Sequence, residues 1–481
     1  MKINRDVLIS GAGPSGIAAA IKLYQLGWRK IYLVEKEKSL RTVNRGKAFN
    51  YQLDGRGQKM LADIGINENT VKEYGVANLA SKFTVFKPDG QSNTLTIPFV
   101  LKDKQTAYWI TRSALIDMLL KRLNDVNKDG RIDLILGHSF IDIDRRQDKA
   151  AATIETSLGA TKLIEADLIL GCDGLNSNVR KCLAKQSDLN SQDYTMVAKA
   201  SPSSNLLYKV ICLPAQIKVD GNEVEVTDNL RSYIFPAIYK KFNEKLSLFS
   251  LPVARENEQR TANIIMPESH KLWTIKDENE FKNYLEAGFP QLDIDEVFPD
   301  EEIKNFLGYR PGKFPDPQYS PKVHAKLGEG SSVTNFVLIG DAAHSFPPDL
   351  GLGVNSALED MFLFGKQLEE LPSNIELAAK KYEKERLPES RALVRLVRKV
   401  FPYQYNHVPW RFKLSLAKIL LQMNMHRWTG GFIDEPIFRL SQMETLTYTE
   451  LERRKKRSDI LFYAILAVFF AVIIWLILKL F

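Results

Sequence analysis

Residues 6–16 read DVLISGAGPSG, and this stretch decides the fold. Asp6 to Ser10 is a short apolar run of the kind that forms a buried strand, and it leads directly into Gly11-Ala12-Gly13-Pro14-Ser15-Gly16. Apolar residues then recur at helical spacing through Ile17, Ala18, Ala19, Ala20, Ile21, Leu23 and Leu26, and Gly27 is placed to end the helix. Ile31 to Val34 supplies a second strand, ending at Glu35. Strand, glycine loop, helix and strand open a doubly wound nucleotide-binding domain. Gly11 permits the tight turn, Gly13 admits a pyrophosphate to the backbone, and Gly16 lets helix pack closely on strand. The helix N-terminus offers N–H groups and a partial positive charge to the phosphates. Glu35, 19 residues beyond Gly16, is placed to accept hydrogen bonds from a ribose. The pattern points to a dinucleotide without saying which.

Residues 335–360, NFVLIGDAAHSFPPDLGLGVNSALED, narrow the choice. A buried strand delivers Gly340 and Asp341, and the Asp341 carboxylate can accept hydrogen bonds from a ribityl chain. Pro347 and Pro348 stiffen the following loop and remove N–H donors where a flat ring could lie. Gly351 and Gly353 allow close backbone approach, and the helix beginning there turns its positive end inward, which favours a reduced flavin. His344 in this loop reads as a structural hydrogen bonder, and no acid–base residue is singled out. A third segment, residues 166–180 (ADLILGCDGLNSNVR), ends a strand at Gly171-Cys172-Asp173-Gly174. Asp173 can line a cofactor groove with Arg180 as counter-charge, while Cys172 reads as a small packing residue.

The rest of the chain bounds the answer. It has 481 residues, 44% hydrophobic and 26% charged, a globular composition sufficient for two or three domains. Three cysteines without a CxxC pair and six scattered histidines exclude a disulfide scaffold and give no readable metal site. Between the nucleotide segments lie β-rich runs at 206–214, 232–236, 245–252 and 261–267, which predict a second, largely antiparallel sheet inserted into the first domain. A helix is expected from Glu278 to Ala287, another from Gly353 to Leu368, and helical sequence from Glu376 onward. The net charge of +8 has a local source in Arg453, Arg454, Lys455, Lys456 and Arg457. Directly after it, Ile460 to Leu478 runs 19 residues without a charge, long enough to span a hydrocarbon core as a helix. Basic flanking predicts a membrane anchor with nearly all of the protein on the cytosolic side, and MKINRDVLIS has no apolar core of a signal peptide. The basic excess is thereby explained without nucleic acid, for which no motif appears. Phe412 to Met423 reads as a core or interface helix, with contact to a bilayer as the other reading.

The glycine loop with Glu35, the Cys172-Asp173-Gly174 segment and Gly340-Asp341 together resemble the single-component FAD-dependent aromatic hydroxylases. Arg45-Gly46-Lys47, Arg56-Gly57, DLILGCDG, Arg386-Leu387-Pro388 and the C-terminal anchor are most similar to the kynurenine 3-monooxygenase branch. The resemblance runs nearly end to end. It implies FAD held by Gly11, Gly13, Gly16, Glu35, Arg45, Arg112, Asp173 and Asp341, with Gly353, Val354 and Asn355 near the ring. It implies NADPH or NADH as a transient co-substrate, O2 activated as a flavin hydroperoxide, and a small aromatic substrate. At the positions that the branch uses for its substrate this chain departs. Lys82 stands in place of an arginine, Phe99 in place of a tyrosine, and Asn406 matches an asparagine whose partner glutamate is replaced by Pro409. The alternatives are a membrane-associated flavin reductase or an epoxidase acting on an isoprenoid or lipid. The expected fold is α/β. A discontinuous Rossmann-like FAD-binding domain (1–80, 108–185, 325–370) carries a β-sheet substrate domain (81–107, 186–324). A helical region (371–458) and a transmembrane helix (460–481) follow. The membrane would be the mitochondrial outer membrane or endoplasmic reticulum in a eukaryote, the inner membrane in a bacterium.

Overall fold

The computed structural model describes residues 3–40, 50–78, 81–97, 106–145, 149–220, 225–241, 244–330, 332–401, 403–405 and 407–480. The glycine loop grows out of a six-stranded sheet ordered His324–Leu327, Thr334–Leu338, Leu168–Gly171, Ile3–Ser10, Trp28–Glu35, Ile132–Leu136. Its neighbours run parallel except for the edge pair His324–Leu327 and Thr334–Leu338. A parallel sheet is covered on both faces, so its strands must be apolar throughout. Val7, Leu8, Ile9, Leu168, Ile169, Leu170, Phe336, Val337 and Leu338 are accordingly all 0% exposed. Helices Pro14–Gln25, Arg112–Val126 and Gly353–Glu370 pack together over this sheet. The first helix ends as its sequence requires, with Gly27 at φ +84° and its N–H on the Tyr24 carbonyl.

A second sheet has seven strands in the order Gly312–Lys313, Leu207–Leu213, Arg260–Met266, Ser247–Ser250, Ser232–Pro236, Ser81–Phe86, Ser92–Ile97. All pairs are antiparallel except Ser232–Pro236 with Ser81–Phe86. Strand alternation gives it two unlike faces. Phe235, Leu248 and Ile264 form a core with Phe281, Leu285 and Phe306 from helices Glu278–Gly288 and Asp300–Gly308. Their neighbours Ile234, Phe249, Asn263 and Ile265 turn the other way and wall a groove.

The C-terminal region is less regular than its sequence predicts. Helix Ile375–Val400 runs through Pro388, followed by Pro409–Trp428, the short Ile437–Leu440, and Tyr448–Leu480. The last helix starts well before the apolar stretch and carries the basic cluster within it. Among the described residues it is the one helix long and apolar enough to cross a membrane, and 6% of its apolar window is buried.

Candidate active site

The loop is shaped by contacts that only glycine permits. Gly11 has φ +98°, and a Cβ there would stand 2.4 Å from the Cys172 carbonyl oxygen. A Cβ on Gly16 would stand 1.9 Å from the Gly11 carbonyl oxygen, whereas one on Gly13 would meet nothing within 4 Å among the described residues. Gly11 and Gly16 thus pack the loop, and Gly13 leaves an open cradle at the N-terminus of helix Pro14–Gln25. No side chain caps that terminus, so its N–H groups face the groove. Glu35 braces the loop: Oε2 accepts from the Ala12 N–H at 2.8 Å and Oε1 from the Glu37 N–H at 3.1 Å. A carboxylate has about four acceptor sites, so lone pairs remain for ribose hydroxyls.

Asp341 is presented by a turn locked from behind. Gly340, at φ +63°, donates its N–H to Asp360 Oδ2 at 2.7 Å, and His344 Nε2 meets the same oxygen at 2.8 Å. Arg386 grips the other Asp360 oxygen through Nε and reaches Glu359 at 2.8 Å and the Ser356 hydroxyl at 2.7 Å. Burial alone would lift the Asp360 carboxyl, but Arg386 and His344 outweigh it and hold it below the usual range. Asp341 itself is exposed into the groove, with protein packed on its other sides. Burial pushes its carboxyl up, His344 pulls it back, and Asp360 adds to the rise.

Arg112 is the first residue of helix Arg112–Val126, capped by the Thr111 hydroxyl at 3.1 Å from the Ala114 nitrogen. It lines the groove and hydrogen-bonds Tyr51. Tyr51 also feels the Asp341 charge, and burial pushes its phenol up. Asp173 accepts from the Asn178 and Val179 N–H groups at 2.7 and 3.1 Å through Oδ2, while Oδ1 has no hydrogen-bond partner among the described residues. Burial raises this carboxyl as well. Arg180 is a counter-charge that feels the Asp173 carboxylate, but it makes no direct ion pair with it. The guanidinium donates instead to the carbonyls of Ala342 at 2.6 Å and Leu175 at 2.9 Å, tying the Asp341 turn to the Asp173 turn. Cys172 is buried, which pushes its thiol up and leaves it a packing residue.

Gly11, Gly13, Glu35, Arg112, Asp173, Asp341, Gly353 and Val354 all line one continuous groove of about 1660 Å³. Asn355 does not. It is 1% exposed and braces the loop from inside, donating to the carbonyls of Gln52 at 2.7 Å and Gly351 at 3.2 Å and accepting the Asp54 N–H at 3.0 Å. Arg45, Phe99 and Asn406 lie outside the described residues. Lys82 sits in strand Ser81–Phe86 opposite Thr96, its side chain likewise outside them.

Three groove residues, Tyr51, Asp349 and Tyr405, carry no sequence signal for a site. Tyr51 had no local signal. Asp349 stands between Pro348 and Leu350, where no local pattern marks a buried carboxylate. It is 2% exposed, accepts the Ser203 hydroxyl, and is polarised by Tyr405 and Gln404. Burial pushes its carboxyl up from 3.8 to about 6, and burial together with Asp349 lifts the Tyr405 phenol. Among the described residues no three His, Cys, Asp or Glu gather as for a metal ion.

An open phosphate cradle, an acid on each flank with spare acceptors, and a long groove ending among aromatic side chains fit flavin adenine dinucleotide. Fold and groove define an FAD flavoprotein. The sequence matches the family described as FAD binding domain over residues 4–263 and 324–397, and the chain belongs to that family. It is 23% identical to the kynurenine 3-monooxygenase of Caenorhabditis elegans, covering 94% of this chain and 93% of that one. With the kynurenine 3-monooxygenase of Flavobacterium psychrophilum it shares 24% identity, over 94% and 91% of the two chains. In structure it is similar to 2-methyl-3-hydroxypyridine-5-carboxylic acid oxygenase, with TM-score 0.57, 19% identity, and coverage of 84% of this chain and 93% of that one. The tetracycline destructase Tet(51) aligns with TM-score 0.54 and 16% identity over 93% of this chain and all of its own. These structural likenesses show the fold.

Proposed function

We propose that the protein is an NAD(P)H-dependent hydroxylase that places one oxygen atom from O2 in the aromatic ring of a small, kynurenine-like acid. The observation that carries this reading is the continuity of the groove from the glycine loop to an end walled by Tyr208, Phe249, Phe314 and Pro348. When bound, FAD supplies the redox chemistry, taking electrons from the nicotinamide and activating O2. Glu35, Arg112 and Arg45 hold the adenosine and pyrophosphate, and Asp341 accepts from the ribityl hydroxyls. The N-terminus of helix Gly353–Glu370 favours negative charge on the ring, and the apolar wall keeps water away from it. Lys82 would offer an ammonium to the substrate carboxylate, and the resemblance assigns Phe99 and Asn406 to the same substrate. The sequence holds one GxGxxG, so the nicotinamide coenzyme visits the groove transiently. Ile460 to Leu478 cross a bilayer, with the basic cluster and the body on the cytosolic side.

The test is anaerobic stopped-flow reduction of the flavin by NADPH and by NADH, with and without L-kynurenine. Faster reduction with kynurenine, followed by a hydroxylated product on admitting air, is the expected result. Reduction that ignores kynurenine and accompanies saturation of an isoprenoid double bond would replace this reading with the reductase one.

A further inference from the structure

Helix Pro409–Trp428 exposes large apolar side chains that a water-soluble surface would bury. Trp410, Leu414, Ala417 and Trp428 fall at spacings of four, three and eleven residues, which places them on one stripe. Trp410 is 62% exposed, Leu414 63% and Trp428 77%, with Leu420 at 49% and Phe432 just beyond at 58%. The buried positions of the same helix include the polar Gln422, which donates to the Ser458 hydroxyl at 2.8 Å and the Asp434 carbonyl at 3.1 Å. A helix that holds Gln422, Met423 and Met425 inward and turns its tryptophans and leucines outward is matched to an apolar surround.

Its neighbour says which one. Lys418 bonds Asp459 at 3.0 Å and the Tyr463 hydroxyl at 3.1 Å. Met425 and Ile433 pack on Phe462, with Leu421, Leu461 and Leu466 around them. The helix is therefore clamped to the first turns of the apolar stretch, at the level where the basic cluster gives way to it. Ile460, Val468 and Phe470 continue the exposed apolar surface along the terminal helix. Arg457 lies over the Phe432 ring, 6.0 Å from its centroid, and Arg411 and Lys413 are exposed near the other end. Tryptophan, leucine and basic residues around an in-plane helix are the composition of a headgroup-level contact.

We propose that helix Pro409–Trp428 is a second membrane contact, lying in the plane of the bilayer with Trp410, Leu414, Leu420, Trp428 and Phe432 at the headgroup–acyl boundary. This rests on the reading that Ile460–Leu478 spans that bilayer. Two attachments, unlike one, fix how the body stands on the surface. They hold the groove wall formed by Tyr405, His407 and Phe438 beside the lipid.

The native cysteines, Cys172, Cys182 and Cys212, are buried, so an introduced surface thiol can be labelled selectively. The full chain would carry an environment-sensitive dye at Leu414→Cys, at Phe470→Cys in the span, or at Leu158→Cys, 94% exposed on a hairpin of the nucleotide-binding domain. Each is reconstituted in phosphatidylcholine–phosphatidylserine vesicles with and without brominated acyl chains. Quenching at Leu414 and Phe470 with none at Leu158 is the expected result. Quenching at Phe470 alone overturns the second contact and leaves the span standing; quenching at neither overturns both. A Leu414 dye that ignores brominated lipid but shifts with protein concentration in detergent would show that a second copy covers the stripe, and the proposal fails.

Discussion

At the glycine-loop end of the groove the chain acts mainly through its backbone, and at the far end through side chains gathered from distant segments. Gly11, Gly13 and Gly16 work by lacking a Cβ, and the helix N–H groups next to them need no particular side chain. The far end takes Tyr208 and Asn263 from the second sheet, Phe314 from a later loop, Asp349 from the flavin loop and Tyr405 from the segment between two C-terminal helices. Asp341 stands between these modes: a glycine turn delivers it, and the buried Asp360–His344–Arg386 network aims it. A backbone-built site leaves a local pattern in sequence, whereas a side-chain-built site exists only once the chain has folded.

The sharpest way to break this contrast is to remove a buried charge behind the flavin loop. Arg386→Met leaves Asp360, 0% exposed, to the Gly340 N–H and His344, and should lower unfolding stability by about 3–5 kcal/mol in chemical denaturation. A variant as stable as the parent would show that the network does not hold the turn. Asp349→Asn probes the far end by pH. Because burial raises the Asp349 carboxyl from 3.8 to about 6, ionising it costs stability progressively as pH rises through that window. Asparagine removes this cost, so the variant should gain on the parent between pH 4 and pH 6, by up to about 3 kcal/mol. Thermal melts whose difference does not change across that range would contradict the assigned burial.

Asp341→Ala should cost about 1.5–3 kcal/mol of FAD affinity, or roughly ten- to a hundredfold, read by flavin absorbance after dialysis. A fully yellow variant would remove Asp341 from the site. Gly11→Ala forces a Cβ toward the Cys172 carbonyl at φ +98°, and should weaken FAD by about 1–3 kcal/mol of backbone strain. Wild-type flavin loading would mean that the loop is softer than its geometry. Smallest of all, Lys82→Ala should raise KM for an anionic substrate about two- to fivefold, the loss of one charge contact. An unchanged KM would move the carboxylate contact elsewhere.

Most of the nucleotide half was legible because its signals are local. Residues 6–35 fold as strand, loop, helix and strand, with boundaries shifted by a few residues where pairing extends Ile3–Ser10 and Trp28–Glu35 beyond the apolar runs. Strand Ser232–Pro236 is bounded by the residues that bound its sequence run. Ile132–Leu136 and the antiparallel edge strand His324–Leu327 were not anticipated, since each draws its stability from the neighbouring strand. In the site, the sequence spoke for residue types and not for directions. Asn355 follows Val354 in one helix, yet faces into the protein to brace Gln52 and Asp54. Arg180 lies near Asp173 but bonds two carbonyls that no motif reveals.

The central claim is that one groove holds FAD and an aromatic substrate so that oxygen passes from O2 to the ring. Turnover of the membrane-reconstituted, flavin-loaded protein with NADPH and L-kynurenine under heavy-isotope oxygen, with mass analysis of the product, tests it directly. The account predicts a product heavier by one oxygen atom, with that atom carrying the label. Unlabelled product, or NADPH consumed with all oxygen released as peroxide and no aromatic acid able to change that, would contradict it.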